Sequence, residues 1–454
     1  MIERLSTTLL CILTTAVVHV AASVSSTHAG EVRAFVGARI IPIDGKEIES
    51  GTLVVDGKKI VAVGPENRVK IPEGAERIDC KGRVIMPGLV CTHSHIGGVG
   101  AADGSSPIQP GVRVYDSINV HDSGFRRALA GGLTTLNIMP GSGHLISGQT
   151  VYVKLRYFDS LPRKIDDLFI LDDEGRPSGG LKMANGTNSI RSTPWPGTRG
   201  KSAFLVREQY IKAREYQMKI DAADGDPAKL PPRDLHLETL VEAMRGKRIV
   251  HHHTHRHDDI MTVLRLSREF GFSVVLHHVS EGWKVADEIA KAKAPCSMIL
   301  LDSPGGKLEA RNLRFETGKV LEDAGVRVAF HTDDYITDSR YFFRMAAIGM
   351  RGGMSRQAAL EGLTLAGAEM LGLDDSIGSL APGKDADFIL LDGDPLSIYT
   401  KVRETWVEGR RVFDRSNPQD RLYAVGGYGA GHDQSPYFCC FGAGANTAIT
   451  GGDQ

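Results

Sequence analysis

Through the middle of this chain, short apolar runs alternate with stretches of helical periodicity. Such a rhythm is the mark of βα units and a largely parallel sheet. Eight candidate strands centre on Val84–Cys91, Thr134–Met139, Thr150–Leu155, Gly180–Met183, Arg248–His253, Ser273–His278, Cys296–Leu301 and Val326–Phe330. Helical stretches lie between them, for example Asp258–Phe270 and Gly282–Lys293. Eight units over about 270 residues match the size of an α/β (β/α)8 TIM barrel, expected over residues 84–370.

The flanks have a different texture. Residues 30–83 carry short alternating runs separated by Asp-Gly and Gly-Pro, the pattern of antiparallel hairpins. The same texture returns over 371–415, so both chain ends are expected to build one small β-sandwich domain. Residues 1–29 read as an export signal: Arg4 is followed by an apolar stretch from Leu9 to Val20, and small residues stand at Thr27 and Ala29. That predicts a periplasmic or secreted protein with no membrane attachment after cleavage. Residues 416–454 are rich in Gly and polar residues and read as a tail.

Composition narrows the class of function. With 41% hydrophobic and 24% charged residues, the chain is neither a disordered polymer nor a membrane bundle. Lys and Arg number 54 against 55 Asp and Glu, so no global field draws in nucleic acid. The expected partner is a small-molecule substrate, and a homo-oligomer remains open. Five cysteines follow the signal (Cys80, Cys91, Cys296, Cys439 and Cys440) without the paired spacing of a structural zinc site. Histidine is unevenly placed: seven of 16 fall between His251 and His278.

The histidines gather at strand ends. His93 and His95 close the first candidate strand, and alternation points both to one face. Lys182 ends the fourth strand, His253 the fifth and His278 the sixth, while Asp333 follows the eighth. All would meet at the barrel mouth where such enzymes keep their active sites. Lys154, ending the third strand, competes with Lys182.

Pro87–His95, the strand-end His253 and His278, Asp333, Ala130–Thr135, Arg256–Ile260 and Gly378–Asp387 together resemble the amidohydrolase superfamily, in its imidazolonepropionase-like and prolidase-like branch. The resemblance covers Val32 to Phe413. It implies a metal-dependent hydrolase of carbon–nitrogen bonds with two divalent ions, Zn²⁺ for preference. His93 and His95 would hold one ion and His253 and His278 the other. A carboxylated lysine, Lys182 or alternatively Lys154, would bridge them, and Asp333 would bind metal and shuttle protons. His277 is expected to point outward, and His331 to support a ligand. His255 would face substrate or the oxyanion, or else pack in its loop. Substrate contacts are expected from Arg256 and from His144 in the Gly-rich loop after the second strand.

Two departures from the family pattern matter. Cys91 stands where Asp is usual, and His253-Thr-His-Arg256 lacks the Glu of family deaminases and of imidazolonepropionase. Hydrolysis of an open amide or peptide-like bond gains weight; a deaminase, or a cyclic-amide or ester hydrolase, is the alternative. The 71 residues from Lys182 to His253 exceed one βα unit, with a helix expected over Ala203–Lys219. Arg191, Arg199 and Arg256 lie in or beside this insertion and are candidates for a substrate carboxylate.

Overall fold

Pro87-Gly88 divides what the sequence presents as one strand. Val84–Pro87 and Leu89–Ser94 belong to different sheets. Gly88 is required at the division because a Cβ there would lie 2.3 Å from Thr134 Oγ1. The computed structural model describes residues 32–99, 103–158, 162–300, 307–334 and 336–426. The expected export signal and the Gly-rich segment from 427 on, with Cys439 and Cys440, lie outside the described residues.

The N-terminal strands are β1 (Val32–Ile40), β2 (Ile48–Asp56), β3 (Lys59–Pro65), β4 (Glu76–Asp79) and β5 (Val84–Pro87). The central strands are β6 (Leu89–Ser94), β7 (Leu133–Ile138), β8 (Ile146–Gln149), β9 (Val151–Lys154), β10 (Leu181–Ala184), β11 (Val250–Thr254), β12 (Val274–His278), β13 (Cys296–Met298) and β14 (Val328–Phe330). The C-terminal strands are β15 (Phe388–Leu391), β16 (Val402–Val407) and β17 (Arg410–Asp414).

The N-terminal strands pair with the C-terminal strands. They form one eight-stranded sheet in the order β17-β16-β15-β5-β1-β2-β3, with β4 also on β1. The join is the antiparallel pair β5–β15, Pro87 opposite Phe388. Phe35 packs edge-on to Phe388 and Trp406 at 4.8 and 5.1 Å, so residues from both ends share one core.

The central strands make a six-stranded sheet, β14-β13-β12-β11-β10-β8, and a three-stranded sheet, β6-β7-β9. Strands β10 to β14 run parallel, as does β6 with β7. The third expected unit differs. β8 is antiparallel to β10 and β9 antiparallel to β7. The connection from β7 to β8 is only residues 139–145, too short for the crossover that a parallel return needs. β8 and β9 are one extended run interrupted at Thr150, each half serving a different sheet. Asp333, just beyond β14, donates its backbone N–H to the His93 carbonyl at 3.1 Å, bringing the ends of β14 and β6 together.

The insertion is mostly helix. Arg199–Ala222 contains the expected Ala203–Lys219 and buries Ser202, Val206, Tyr210, Ala213 and Tyr216, a single stripe at helical spacing. Tyr210 stacks on Phe270 and Phe272, each at 5.0 Å, against the helix His257–Phe270. The start of the expected tail is also ordered. Asn417 caps the helix Pro418–Val425, with Pro at its first position, and Asp420 pairs with Arg126 at 3.0 Å. Among the described residues no helix is long and apolar enough to cross a membrane.

Candidate metal centre

Alternation along β6 and its extension brings His93 and His95 to one face, their Nε2 atoms 3.1 Å apart. Asp333 Oδ1 completes the group, 3.3 Å from His93 Nε2 and 3.0 Å from His95 Nε2. All three side chains are buried. His95 Nδ1 lies 2.7 Å from the Met139 carbonyl, which can only accept, so Nδ1 carries the proton there. That leaves the His95 Nε2 lone pair facing a carboxylate unless a cation, or a second proton, lies between them.

Lys182 is fully buried at the same place, its Nζ 3.2 Å from His93 Nε2. Lys154 is elsewhere. Its ammonium contacts Asp385, Asp387 at 3.1 Å and Glu408 at 3.9 Å, tying β9 to the Gly378–Asp387 segment. Of the two competing lysines, only Lys182 lies among the imidazoles.

Two further groups of three have ligand atoms within 4.8 Å of one another: His253, His255 and His278, and His93, His277 and His331. His253 and His278 have ring centroids 4.3 Å apart, and His255 stacks on His278 at 4.9 Å. His331 bridges the groups, 4.8 Å from both His93 and His278.

His277 contradicts the outward orientation expected of it. Register pairs it with His253, so both project to the same side, and its ring is 5.1 Å from His93. His278 enters the same space because its backbone turns to φ +73°, followed by Val279 at φ +42°. The break in alternation puts two neighbouring residues at one site.

Electrostatics keep these rings neutral. Burial lowers the pKa of His93, His253, His255, His277 and His278 well below the usual value, and nearby cationic groups add to it. His251 and His331 are held at about 3 by burial with Lys182 nearby, although the Asp333 charge opposes this at His331. Burial would raise the Asp333 pKa. Contact with His95 and the charge of Lys182 outweigh it, so Asp333 is ionised. Neutral imidazole and carboxylate are the forms that bind divalent transition metals. His255 Nε2, His278 Nε2, His331 Nε2 and His253 Nδ1 are buried without a hydrogen-bond partner among the described residues. Orphaned ring nitrogens beside an ionised carboxylate fit a metal.

Supporting contacts fix several rings. His255 Nδ1 lies 2.8 Å from Ser280 Oγ, and His331 Nδ1 lies 2.8 Å from Ser297 Oγ. Cys91, the departure from the family pattern, donates its Sγ–H to the His93 carbonyl at 3.2 Å and contacts Thr332, with burial pushing the thiol up to about 12.

The two expected substrate residues fare differently. Arg256 forms a bidentate pair with Asp258 at 3.0 and 2.8 Å at the start of its helix. His144 is buried, hydrogen-bonded to the Asp103 carbonyl and edge-on to Trp195 at 4.6 Å, with burial lowering its pKa to about 4. Asn188 was not legible as a site residue. Its Nδ2 lies 3.4 Å from His253 Nε2 and 2.6 Å from Ser142 Oγ, and only its position in a strand-end loop could have signalled it.

The amidohydrolase family model matches residues 180–413. The structure is similar to an amidohydrolase from Thermotoga maritima MSB8, 33% identical, with TM-score 0.77 over 84% of this chain and 100% of that one. Imidazolonepropionase of Rhizobium rhizogenes is 26% identical over 79% of this chain and 91% of its own. The amidohydrolase tasK of Hapsidospora irregularis is 28% identical over 76% of this chain, which spans only 38% of that relative's length. With histidine and aspartate groups able to hold a metal, as this metal-dependent family requires, the chain belongs to the amidohydrolase superfamily, with sequence similarity to imidazolonepropionases, and is a hydrolase of carbon–nitrogen bonds.

Proposed function

We propose that this enzyme hydrolyses the amide or peptide-like C–N bond of a small substrate, using two divalent ions, most suitably Zn²⁺. The observation that carries the reading is the buried meeting of Asp333 with Nε2 of His93 and His95. His93 and His95 would hold one ion, His253 and His278 the other, with Asp333 at the first. Once Lys182 Nζ has lost its ammonium proton, addition of carbon dioxide with release of a second proton would give a carbamate, an anionic oxygen donor for the ions. When bound, such ions acidify water and polarise a carbonyl.

The chain's own groups supply the rest. Asp333, ionised and beside His95, accepts the proton of the attacking water and returns it to the departing nitrogen. His255 Nδ1 lies 2.8 Å from Ser280 Oγ, a contact in which either can donate; where the hydroxyl donates, the His255 proton is on Nε2 and would serve the developing oxyanion. The contact between β14 and β6 supports closure of the two central sheets into one distorted (β/α)8 barrel beside a terminal sandwich domain. Export through residues 1–29 would leave a mature chain beginning near Gly30, which N-terminal sequencing of the secreted protein reads directly.

The test is a screen of zinc-reconstituted protein against dipeptides, N-acyl amino acids and cyclic amides. Release of a free amine from at least one class is expected. Ammonia from aminopurines, with every amide untouched, would favour the deaminase alternative instead.

A further inference from the structure

The insertion between β10 and β11 carries apolar residues on two opposite faces of one helix. In Arg199–Ala222, the stripe of Ser202, Val206, Tyr210, Ala213 and Tyr216 packs against the protein. The outer face presents Phe204, Ile211 and Met218, which are 52%, 43% and 65% exposed. Leu230 and Leu235, on the chain that follows, are exposed as well. Five of the thirteen large hydrophobic side chains exposed among the described residues thus fall within 199–235. Single exposed apolar residues are ordinary, but a contiguous patch of them marks an interaction surface.

Spacing sets these residues in a row. Phe204, Ile211 and Met218 recur every seventh residue, about 20° short of two turns, so they stand almost in line along roughly 21 Å of helix. Charges border the row in a fixed order. Glu208 and Glu215 lie about 60° and 40° to one side of Ile211, and Arg207 and Arg214 about 40° and 60° to the other. Each arginine is adjacent in sequence to a glutamate of the opposite border, so the two stand at nearly the same height. Arg207 also pairs with Glu269 at 2.9 Å, and Arg214 donates to the Glu269 carbonyl at 2.8 Å. Both arginine side chains stay partly open to solvent.

We propose that this face pairs with the same face of a second copy of the chain, the two helices lying parallel about a two-fold axis that runs along them. A two-fold contact must be complementary to itself. Parallel packing sets Phe204, Ile211 and Met218 each against its own counterpart. It also sets the glutamate border of one copy against the arginine border of the other: Glu208 meets Arg207 of the partner subunit, and Glu215 meets Arg214 of the partner subunit. Antiparallel packing about Ile211 would instead oppose Glu208 to Glu215 of the partner subunit, and Arg207 to Arg214 of the partner subunit. Like charges there would repel, so charge selects the parallel orientation while the apolar row supplies the burial. The formal charge of −1 leaves almost no net repulsion between copies. One helix face lies at the small end of specific interfaces, so a reversible dimer with Kd on the order of 10 µM is expected.

Sedimentation velocity of the full chain, over concentrations spanning that value, reads the association. A monomer–dimer equilibrium is expected for the parent chain. Ile211→Glu, on the exposed face, should leave the melting temperature unaltered and weaken association at least roughly 10-fold, because it places like charges in the apolar row. Single substitutions Phe204→Cys, Ile211→Cys and Met218→Cys, oxidised with diamide beside the parent chain, read the orientation. Parallel pairing brings each of the three positions to its own counterpart, so all three variants should form a disulfide-linked dimer beyond the parent's background. A monomer at every concentration overturns the proposal, as does Ile211→Glu protein that dimerises like the parent. Cross-linking through Ile211→Cys alone, the result of antiparallel packing, overturns it too.

Discussion

Two residues at the heart of the cluster hold backbone conformations that side chains seldom adopt: His278 at φ +73° and Asp333 at φ +48°. Such strain persists where surrounding structure over-determines it, and it clusters at functional sites. Asp333 also gives its backbone N–H to the His93 carbonyl, so the residue proposed to carry the proton is fixed to the strand that bears His93 and His95. Asp333→Asn should reduce kcat by roughly 10²–10⁴-fold with the fold intact. Steady-state kinetics beside a circular dichroism spectrum check this, and near-parental turnover would remove Asp333 from proton transfer. Lys182→Met should lose most bound metal without unfolding, read by elemental analysis of the purified variant; full retention would take Lys182 out of the site. At this scale the sequence was most informative where alternation governs. His93 and His95 follow from strand geometry alone, whereas His277 and His278 required a turn of backbone that no local pattern announces.

At the scale of elements, the joint between chain ends and central sheet is electrostatic as well as hydrophobic. Lys154 leaves β9 to meet Asp385 and Asp387, and its side chain is only 4% exposed. The partners respond unequally. Burial raises the Asp387 pKa, whereas the Lys154 and Lys59 contacts outweigh burial at Asp385 and lower it. Removing Lys154 would leave Asp387 buried without its cation, so Lys154→Met should cost about 3–5 kcal/mol, measured by chemical denaturation. A loss under about 1 kcal/mol would show that the network adds little beyond the packing around it. The Gly378–Asp387 segment was legible as the return to the terminal sheet, but its role as acid partner to Lys154 was not. A lysine at a strand end looks the same whether it faces a metal or a remote carboxylate. The reversal of β8 and β9 was equally hidden, because apolar runs reveal strands and not their direction. The short loop after β7 was the only clue, and it depends on boundaries that a sequence places loosely.

Across the whole molecule the dominant charge decision is to keep a core of imidazoles neutral. Unfolded, these histidines bind protons near pH 6.5; folded, they resist protonation, His251, His252 and His331 down to about pH 3. The unfolded chain therefore holds more protons as pH falls below 6.5, and folding stability declines from there toward the folded values. Metal-free protein should lose melting temperature steadily between pH 7 and 5, and a flat profile would contradict the neutral cluster. Bound metal should raise the melting temperature at pH 7, because it binds only the folded arrangement. The uneven distribution of histidine in the sequence anticipated this site in outline, since strand ends collect where a parallel sheet opens. The central claim is that these residues hold a binuclear centre. Elemental analysis of the purified chain after zinc reconstitution and exhaustive dialysis tests it most directly. Two zinc ions per chain are expected, falling in the His93→Ala and His253→Ala variants; a chain that retains none would contradict a binuclear centre.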